Sequence, residues 1–221
     1  MTGAVPISLT GVGYSFGRRP ALTGIDLTLP AGRRHGLAGP NGSGKTTLLR
    51  LLAGLLAPTA GTVNCLGFER PSAHGAFKER VAYVTQEFSL YEELTVEENL
   101  SFIADLYSLP EPMPAVHQTQ TVFDLAAYSR QRAGAVSVGV RQRLMLAAAF
   151  MRHPNLLLLD EPTAALDEES SDVLWRHIDA ARSAGTTIVL TTHRERDLAR
   201  CDSVTHLAAG RIVGFHATSR S

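Results

Sequence analysis

Apolar residues alternate with polar ones at Ile7, Leu9 and Val12, and again at Leu22, Ile25, Leu27 and Leu29. With glycines between them, residues 5–30 read as antiparallel strands. Phe16, just before the turn Gly17-Arg18-Arg19-Pro20, reads on its own as a core or hairpin aromatic. A short strand-like run, Gly36-Leu37-Ala38, is followed by a glycine-rich stretch and then a leucine-rich helix from Thr47 to Leu56. Ala57-Pro58-Thr59-Ala60-Gly61 ends that helix in a turn. Further strands are expected over Thr62–Leu66 and Val81–Thr85, the second ending at Gln86.

The character changes from Glu87 to Arg132. Thr95 followed by Glu97 and Glu98 signals a helix start, and Val96, Leu100, Ile103, Ala104 and Leu106 have helical spacing. The prolines at 110, 112 and 114 are expected to break that helix, with a second one over Val116–Tyr128. A helix over Arg141–Arg152 follows, and Pro154 separates it from Leu156-Leu157-Leu158-Leu159. Four successive leucines fit a central parallel strand buried on both faces. Glu168–Ser183 is a further helix with Val173, Leu174, Ile178 and Ala181 as its buried stripe, ended by Gly185. Thr187–Thr191 is another buried strand, and residues 204–213 read as a closing hairpin. The fold expected is a single α/β domain over 1–221, with its core in 1–86 and 141–221 and a helical insert over about 87–140.

The chemistry gathers at the ends of these strands. Gly39-Pro40-Asn41-Gly42-Ser43-Gly44-Lys45-Thr46 fits G-x-x-x-x-G-K-[ST], and it lies between a strand and a helix, as a phosphate-binding loop must. Glycines let backbone N–H groups turn inward on phosphate oxygens, and the new helix presents its unpaired donors there. Lys45 supplies positive charge near the β- and γ-phosphates, and the Thr46 hydroxyl suits Mg²⁺. The leucine strand delivers Asp160 and Glu161. Asp160 can hold Mg²⁺ through its water shell, and Glu161 can orient an attacking water or accept its proton. The next strand delivers Thr192 and His193, which places the histidine beside the two acids.

Composition narrows the class. The 221 residues are 44% hydrophobic and 19% charged, ordinary for a globular protein with a real core. Lys+Arg and Asp+Glu number 21 each, so no global field draws the chain to nucleic acid or anionic lipid. Cys65 and Cys201 have neither metal-ligand spacing nor the look of a disulfide framework, which points to two thiols in a reducing compartment. No run approaches the roughly 20 apolar residues of a membrane span, and residues 1–5 have no signal-peptide character. A role at a membrane would require another chain to hold this one there.

In this order the motifs resemble those of the nucleotide-binding domain of ATP-binding cassette (ABC) transporters, over essentially the whole chain. The resemblance implies a P-loop NTPase core with a mostly parallel sheet, an N-terminal antiparallel β subdomain and a helical insert. It implies that Phe16 stacks on adenine, that Gly39–Thr46 and Thr47 bind the phosphates of ATP, and that Gln86 touches Mg²⁺ and the attacking water. Ser137 and Gly139 take the place of the signature that contacts ATP held by an opposite subunit. Asp160 binds the metal, Glu161 is the general base, and His193 senses the γ-phosphate with Lys45 beside it. Ala165-Leu166-Asp167 matches the loop across which two subunits communicate.

Two such domains would close head to tail around two ATP molecules, as a homodimer or as a heterodimer with a second ABC ATPase. The stretch 90–100 is similar to that of ATPases paired with ABC-2-type permeases, mostly exporters. That implies a peripheral position on the cytoplasmic membrane face, through an integral membrane permease and without direct nucleic-acid contact. Tyr91 and Leu94 are candidate permease contacts. The alternative is a soluble ABC-type ATPase without a permease, acting in regulation, on ribosomes or on DNA. One departure stands out. The signature reads Val136-Ser137-Val138-Gly139-Val140, with valine where the family has its first glycine and no glutamine at the fifth position. A β-branched residue at 138 is expected to be awkward where glycine permits close approach and positive φ. Either the variant is tolerated, or this chain belongs to an asymmetric pair whose site completed by this signature is weak.

Overall fold

The computed structural model describes residues 7–70, 75–85 and 89–218. Strands β1 (Ile7–Phe16) and β2 (Arg19–Leu29) form the antiparallel pair expected from their alternation, with Leu9 opposite Leu27 and Val12 opposite Ile25. They join β4 (Ala60–Cys65) and β5 (Phe68–Arg70) in a four-stranded sheet ordered β2-β1-β4-β5. The second sheet has six strands. Its parallel members are β3 (Arg34–Ala38), β6 (Val81–Val84), β7 (Leu156–Asp160), β8 (Thr187–Thr191) and β9 (Ser203–Ala208). The antiparallel edge strand β10 (Arg211–Ala217) closes the expected hairpin with β9, in the order β10-β9-β3-β8-β7-β6.

Every residue of β3, β7 and β8 is buried, as befits strands covered on both faces; β7 and β8 are mostly apolar, while β3 carries Arg34 and His35 into the interior. One face meets helix α1 (Lys45–Leu52), whose Leu48, Leu49, Leu51 and Leu52 have no solvent exposure and pack with Ile7, Ile25 and Leu29 of the first sheet. The other core joins the sheet to α3 (Val96–Leu106), α4 (Pro112–Val122), α5 (Val138–Phe150) and α6 (Glu168–Ser183). Two short helices, α2 (Gly75–Lys78) and α7 (Glu195–Leu198), complete the described α-helices. Among the described residues no helix is long and apolar enough to cross a membrane.

Several boundaries differ from expectation. Helix α1 begins two residues early, directly at Lys45, and stops at Leu52. The first insert helix ends at Leu106, ahead of the prolines as expected, but Pro112 and Pro114 lie within the second helix, not before it. Pro112 opens α4 at the first helical position, where its missing N–H would have had no partner anyway. That helix ends at Val122 rather than Tyr128, because Asp124 turns the chain with φ 52° before a single 3₁₀ turn at Ala126–Tyr128. Helix α3 starts as foreseen, with a reciprocal cap: Thr95 Oγ1 accepts from Glu98 N–H and the Glu98 carboxylate accepts from Thr95 N–H. The buried face of α6 is Ser171, Leu174, Trp175, Ile178 and Ala181, with Val173 only half-buried.

Two polar groups on β3 are buried in this core. Arg34 pairs with Asp179 and Asp202, and Arg182 pairs with Asp202 at 3.1 Å. His35 spans Ser203 Oγ at 2.7 Å and the Pro30 carbonyl at 2.8 Å. Burial lowers the His35 pKa below its ordinary 6.5, only partly opposed by the Pro30 carbonyl and Asp202. His177, stacked on Phe123 with centroids 4.1 Å apart, is also lowered by burial. Both histidines therefore fold neutral, and the unfolded chain binds protons more readily than the native one. Their stabilising contribution is complete above pH 6.5 and is lost as pH falls below it. The urea midpoint is expected to decline from about pH 7 to about pH 5.5, and replacing both histidines by glutamine should flatten that slope. An unchanged slope in the double variant would contradict the assignment.

Candidate active site

Strands β3, β8 and β7 are neighbours and run parallel, so their carboxyl ends open on one edge of the sheet. The first releases Gly39, the second Thr192 and His193, and the third ends at Asp160 before Glu161. Ligands of open α/β sheets bind in the crevice outside such strand ends. Here a cleft of about 830 Å³ occupies that position, lined by Phe16, Arg19, the loop from Asn41 to Thr47, Asp160, Glu161 and His193.

The loop's shape depends on two glycines. Gly39 has φ 147°, and a β-carbon there would lie 2.1 Å from the Leu207 carbonyl oxygen. Gly44 has φ 105°, and a β-carbon would meet Leu22 Cδ2 at 2.6 Å and the Ala21 carbonyl at 2.9 Å. Neither position can accept a side chain without moving backbone. Gly39 and Pro40 stand at the loop's entrance and offer their carbonyls to Lys45 Nζ, at 2.7 and 3.2 Å. An ammonium has three donors, so one is left for a further acceptor. The first turn of α1 has neither a side-chain cap nor an acidic residue, so its N–H groups face the cleft as an anion site. Ser43 Oγ is buried and makes no hydrogen bond in the protein. A buried hydroxyl without a partner is costly, and a phosphate oxygen would satisfy it.

The acids lie opposite. Asp160, 5% exposed, accepts from Thr46 Oγ1 at 3.2 Å and Thr191 Oγ1 at 2.6 Å through one oxygen, and from the Tyr83 hydroxyl at 3.3 Å through the other. Burial, and then the Asp160 charge, push the Tyr83 phenol up to about 12, so it remains a donor. A hydroxyl and a carboxylate in contact are hard oxygen donors of the kind Mg²⁺ takes together with water and substrate phosphates. Among the described residues no cluster of three or more His, Cys, Asp or Glu could cage a metal by itself.

Glu161 sits in left-handed backbone, φ 51°, rare for a residue with a side chain. Its N–H donates to Thr191 Oγ1 at 2.8 Å, and its Oε2 is 3.0 Å from His193 Nδ1. The Glu161 side chain is 13% exposed and that of His193 64%. Phe16, half-exposed, stands edge-on to Tyr14 at the rim with centroids 4.9 Å apart. It is not a core residue, so its ring is open to a flat ligand.

Three expected residues lie outside this cleft. Ser137 is exposed and caps α5, its Oγ accepting from Val140 N–H at 3.3 Å. Gly139 lies against the start of α6, where an added β-carbon would come within 3.2 Å of Ser170 Oγ. Asp167 caps α6 by accepting from Ser170 N–H at 2.7 Å, a bond that holds its carboxyl below the usual range. Gln86 lies outside the described residues. The strain expected at Val138 is absent, because Val138 is the first residue of α5 with ordinary helical backbone. Sequence reasoning passed over Arg19, Tyr83 and Thr191. Arg19 stood in a turn, and the other two lie within strands whose side-chain partners are far along the chain.

Comparison with known proteins agrees with this geometry. The family model described as ABC transporter matches residues 22–164. The probable multidrug ABC transporter ATP-binding protein YbhF of Escherichia coli (strain K12) is 32% identical over 200 residues, covering 90% of this chain and 35% of that protein. Nod factor export ATP-binding protein I of Rhizobium leguminosarum bv. viciae is 33% identical over 217 residues, covering 95% of this chain and 68% of that one. Daunorubicin resistance ATP-binding protein DrrA3 of Streptomyces coeruleorubidus is 35% identical over 210 residues, with 94% and 66% coverage. The chain thus spans about a third of the first relative and about two-thirds of the others. A solved ATP-binding subunit of an ABC transporter superposes with a TM-score of 0.87 at 26% identity, over 96% of this chain and 90% of that one. A dimeric ATP-binding cassette with ADP and Pi, at 22% identity, shares the fold with a TM-score of 0.88 over 97% of this chain and 100% of that one. A family model over most of the chain, and relatives at 32–35% identity across nine-tenths of it, show that it belongs to the ABC transporter family as one of its ATPase cassettes.

Proposed function

We propose that this chain is the ATP-hydrolysing subunit of an exporter-type ABC transporter, acting with a second cassette and a separate integral membrane permease. The observation that carries the proposal is the Glu161–His193 contact at 3.0 Å on the rim of a cleft that also holds Lys45 and the Thr46–Asp160 pair. In that cleft the adenine of ATP stacks on Phe16. The phosphates lie on the N–H groups of the loop and of Thr46 and Thr47, with Lys45 and Ser43 as further donors. Thr46 and Asp160 would hold Mg²⁺, and the ion would supply charge neutralisation at the phosphates; Gln86, expected as a further contact, lies outside the described residues. Glu161 orients water in line with the γ-phosphorus and accepts its proton, while His193 holds the Glu161 carboxylate and reaches the γ-phosphate. Catalysis is positioning plus charge stabilisation, without a covalent intermediate.

Ser137, Gly139 and Asp167 converge on another face, around the N-termini of α5 and α6, and cannot serve the chain's own cleft. Their place suits contact with ATP held by a second cassette, which would make the functional unit a head-to-tail pair. At Val138 the obstacle is now the side chain alone, two methyl groups next to the Ser137 hydroxyl, and no longer backbone strain. A second groove, of about 470 Å³, lies between the core and the helical insert and is lined in part by Leu55, Tyr91, Phe102, Ile103 and Tyr107. Leu55 and Tyr91 are mostly exposed there. An apolar groove with exposed aromatics fits a short helix from a permease. Leu94 does not line it. Its backbone closes the turn before α3 by bonding Tyr91 and Ala133. The names of the relatives, for Nod factor export and daunorubicin resistance, support export as the direction.

Glu161→Gln is expected to lower the rate of phosphate release from ATP by about two to four orders of magnitude, while nucleotide binding measured by fluorescence titration is retained. Turnover at the normal rate would remove Glu161 from the role of base. If Val138 weakens an asymmetric pair, Val138→Gly raises ATPase activity, and no change or a fall counts against the asymmetry. Tyr91→Asp should abolish co-purification of an integral membrane chain from detergent-solubilised native membranes without altering ATP binding. Retention of that chain would exclude the groove as its seat.

A further inference from the structure

Asp197, on the short helix α7, is only 3% exposed and is the shared acceptor of side chains from three separate segments. Its Oδ1 accepts from Trp175 Nε1–H of α6 at 2.8 Å. Its Oδ2 accepts from Thr192 Oγ1 at 3.3 Å and from Thr163 Oγ1. Thr163 lies two residues after Glu161, and Thr192 immediately precedes His193. One buried carboxylate therefore ties together the two segments that carry the reacting pair. None of the three donors reaches the cleft itself.

We propose that Asp197 is a positioning residue for hydrolysis, fixing the Glu161 and His193 segments at the separation their contact requires. The inference rests on the roles proposed above for Glu161 and His193. Neighbouring bonds remove the slack. Arg194 Nη1 donates to the Thr163 carbonyl at 2.8 Å and to Ser171 Oγ at 3.3 Å. Arg194 N–H donates to Thr192 Oγ1 at 3.1 Å, so that hydroxyl receives one bond and gives its proton to Asp197. The carboxylate suits its partners because all three donate to it. An asparagine could still accept from the indole, but its N–H₂ would force both threonine hydroxyls to reverse. Asp197 also reaches α6, whose first residues abut Gly139 and whose cap is Asp167. Through Trp175 the reacting pair is tied to the helix that faces the second cassette.

Small displacements at such a site are costly, since misplacement by about 1 Å can lower the rate about 100-fold. The test uses the full chain with MgATP and the near-isosteric pair Thr192→Val and Thr192→Ser. Thr192→Val removes the hydroxyl and is expected to lower kcat by about tenfold or more, with nucleotide Kd, KM and Tm near wild type. Thr192→Ser retains the hydroxyl and should restore kcat. Asp197→Asn should lower kcat further, and adding Thr192→Val to it should cost nothing more, because both act through one contact. If Asp197→Asn does not fold, the Thr192 pair decides alone. Wild-type kcat in Thr192→Val, while Glu161→Gln is inactive, overturns the inference and leaves the base intact. So does a parallel loss of nucleotide affinity, Tm and kcat in both Thr192 variants, the signature of a purely structural contact. Normal turnover by Glu161→Gln overturns the underlying reading and this inference with it.

Discussion

A single hydroxyl sets the geometry of the reacting edge. Thr191 lies opposite Asp160 in the parallel pairing of β7 and β8. Its Oγ1 donates to the Asp160 carboxylate at 2.6 Å and accepts from the Glu161 N–H at 2.8 Å. The first bond aims the acid at Thr46. The second holds the next peptide in place while Glu161 takes its left-handed conformation, a strain of about 1–3 kcal/mol that persists only when the surroundings enforce it. That turn sends the Glu161 side chain toward His193 instead of continuing the strand. A register slip of one residue between these strands would separate Thr191 from both groups and leave a buried carboxylate under-bonded.

The strands can meet this demand because they are buried throughout. Side chains that cover both faces of β3, β7 and β8 fix their relative positions, and the polar work is confined to the strand ends. The phosphate loop follows the same economy of space, since Gly39 and Gly44 allow backbone to approach Leu207 and Leu22 closely enough to place Lys45 over the entrance. The other chemically marked face, with Ser137, Gly139 and Asp167, is rigid for a different reason. Two of its three residues are helix caps, so their side chains are fixed by the amides they satisfy. One molecule thus carries a nucleotide cleft and, separately, a preformed surface that serves no group in that cleft. The proposed pairing with a second cassette would bring the two features together.

Much of this was legible in sequence, for identifiable reasons. The leucine run at 156–159, the Thr187–Thr191 run and the alternation over residues 7–29 announce their strands through burial alone, and the loop motif is local. What escaped was either conditional or distant. Pro112 reads as a breaker unless it is known to open a helix. Val138 reads as strained unless the Ser137 cap, which makes it the first residue of α5, is known, and what remains at that position is a steric question only. Thr191 and Tyr83 reach Asp160 across 31 and 77 residues, and Asp197 reaches Trp175 across 22, so no local spacing marks them. Arg19 lines the cleft from the first residue of β2, beside the hairpin turn, where sequence offers no sign of direction.

The γ-phosphate chemistry proposed above takes place between the loop and the ends of β7 and β8. A structure of the chain with Mg²⁺, ADP and vanadate tests it most directly, because vanadate occupies the position of the transferring phosphoryl group. Vanadate is expected between Lys45 and the Glu161–His193 pair, Mg²⁺ in contact with the Thr46 hydroxyl and on the Asp160 side, and the purine over Phe16. Vanadate bound away from Glu161, or a purine that leaves Phe16 untouched, would contradict it.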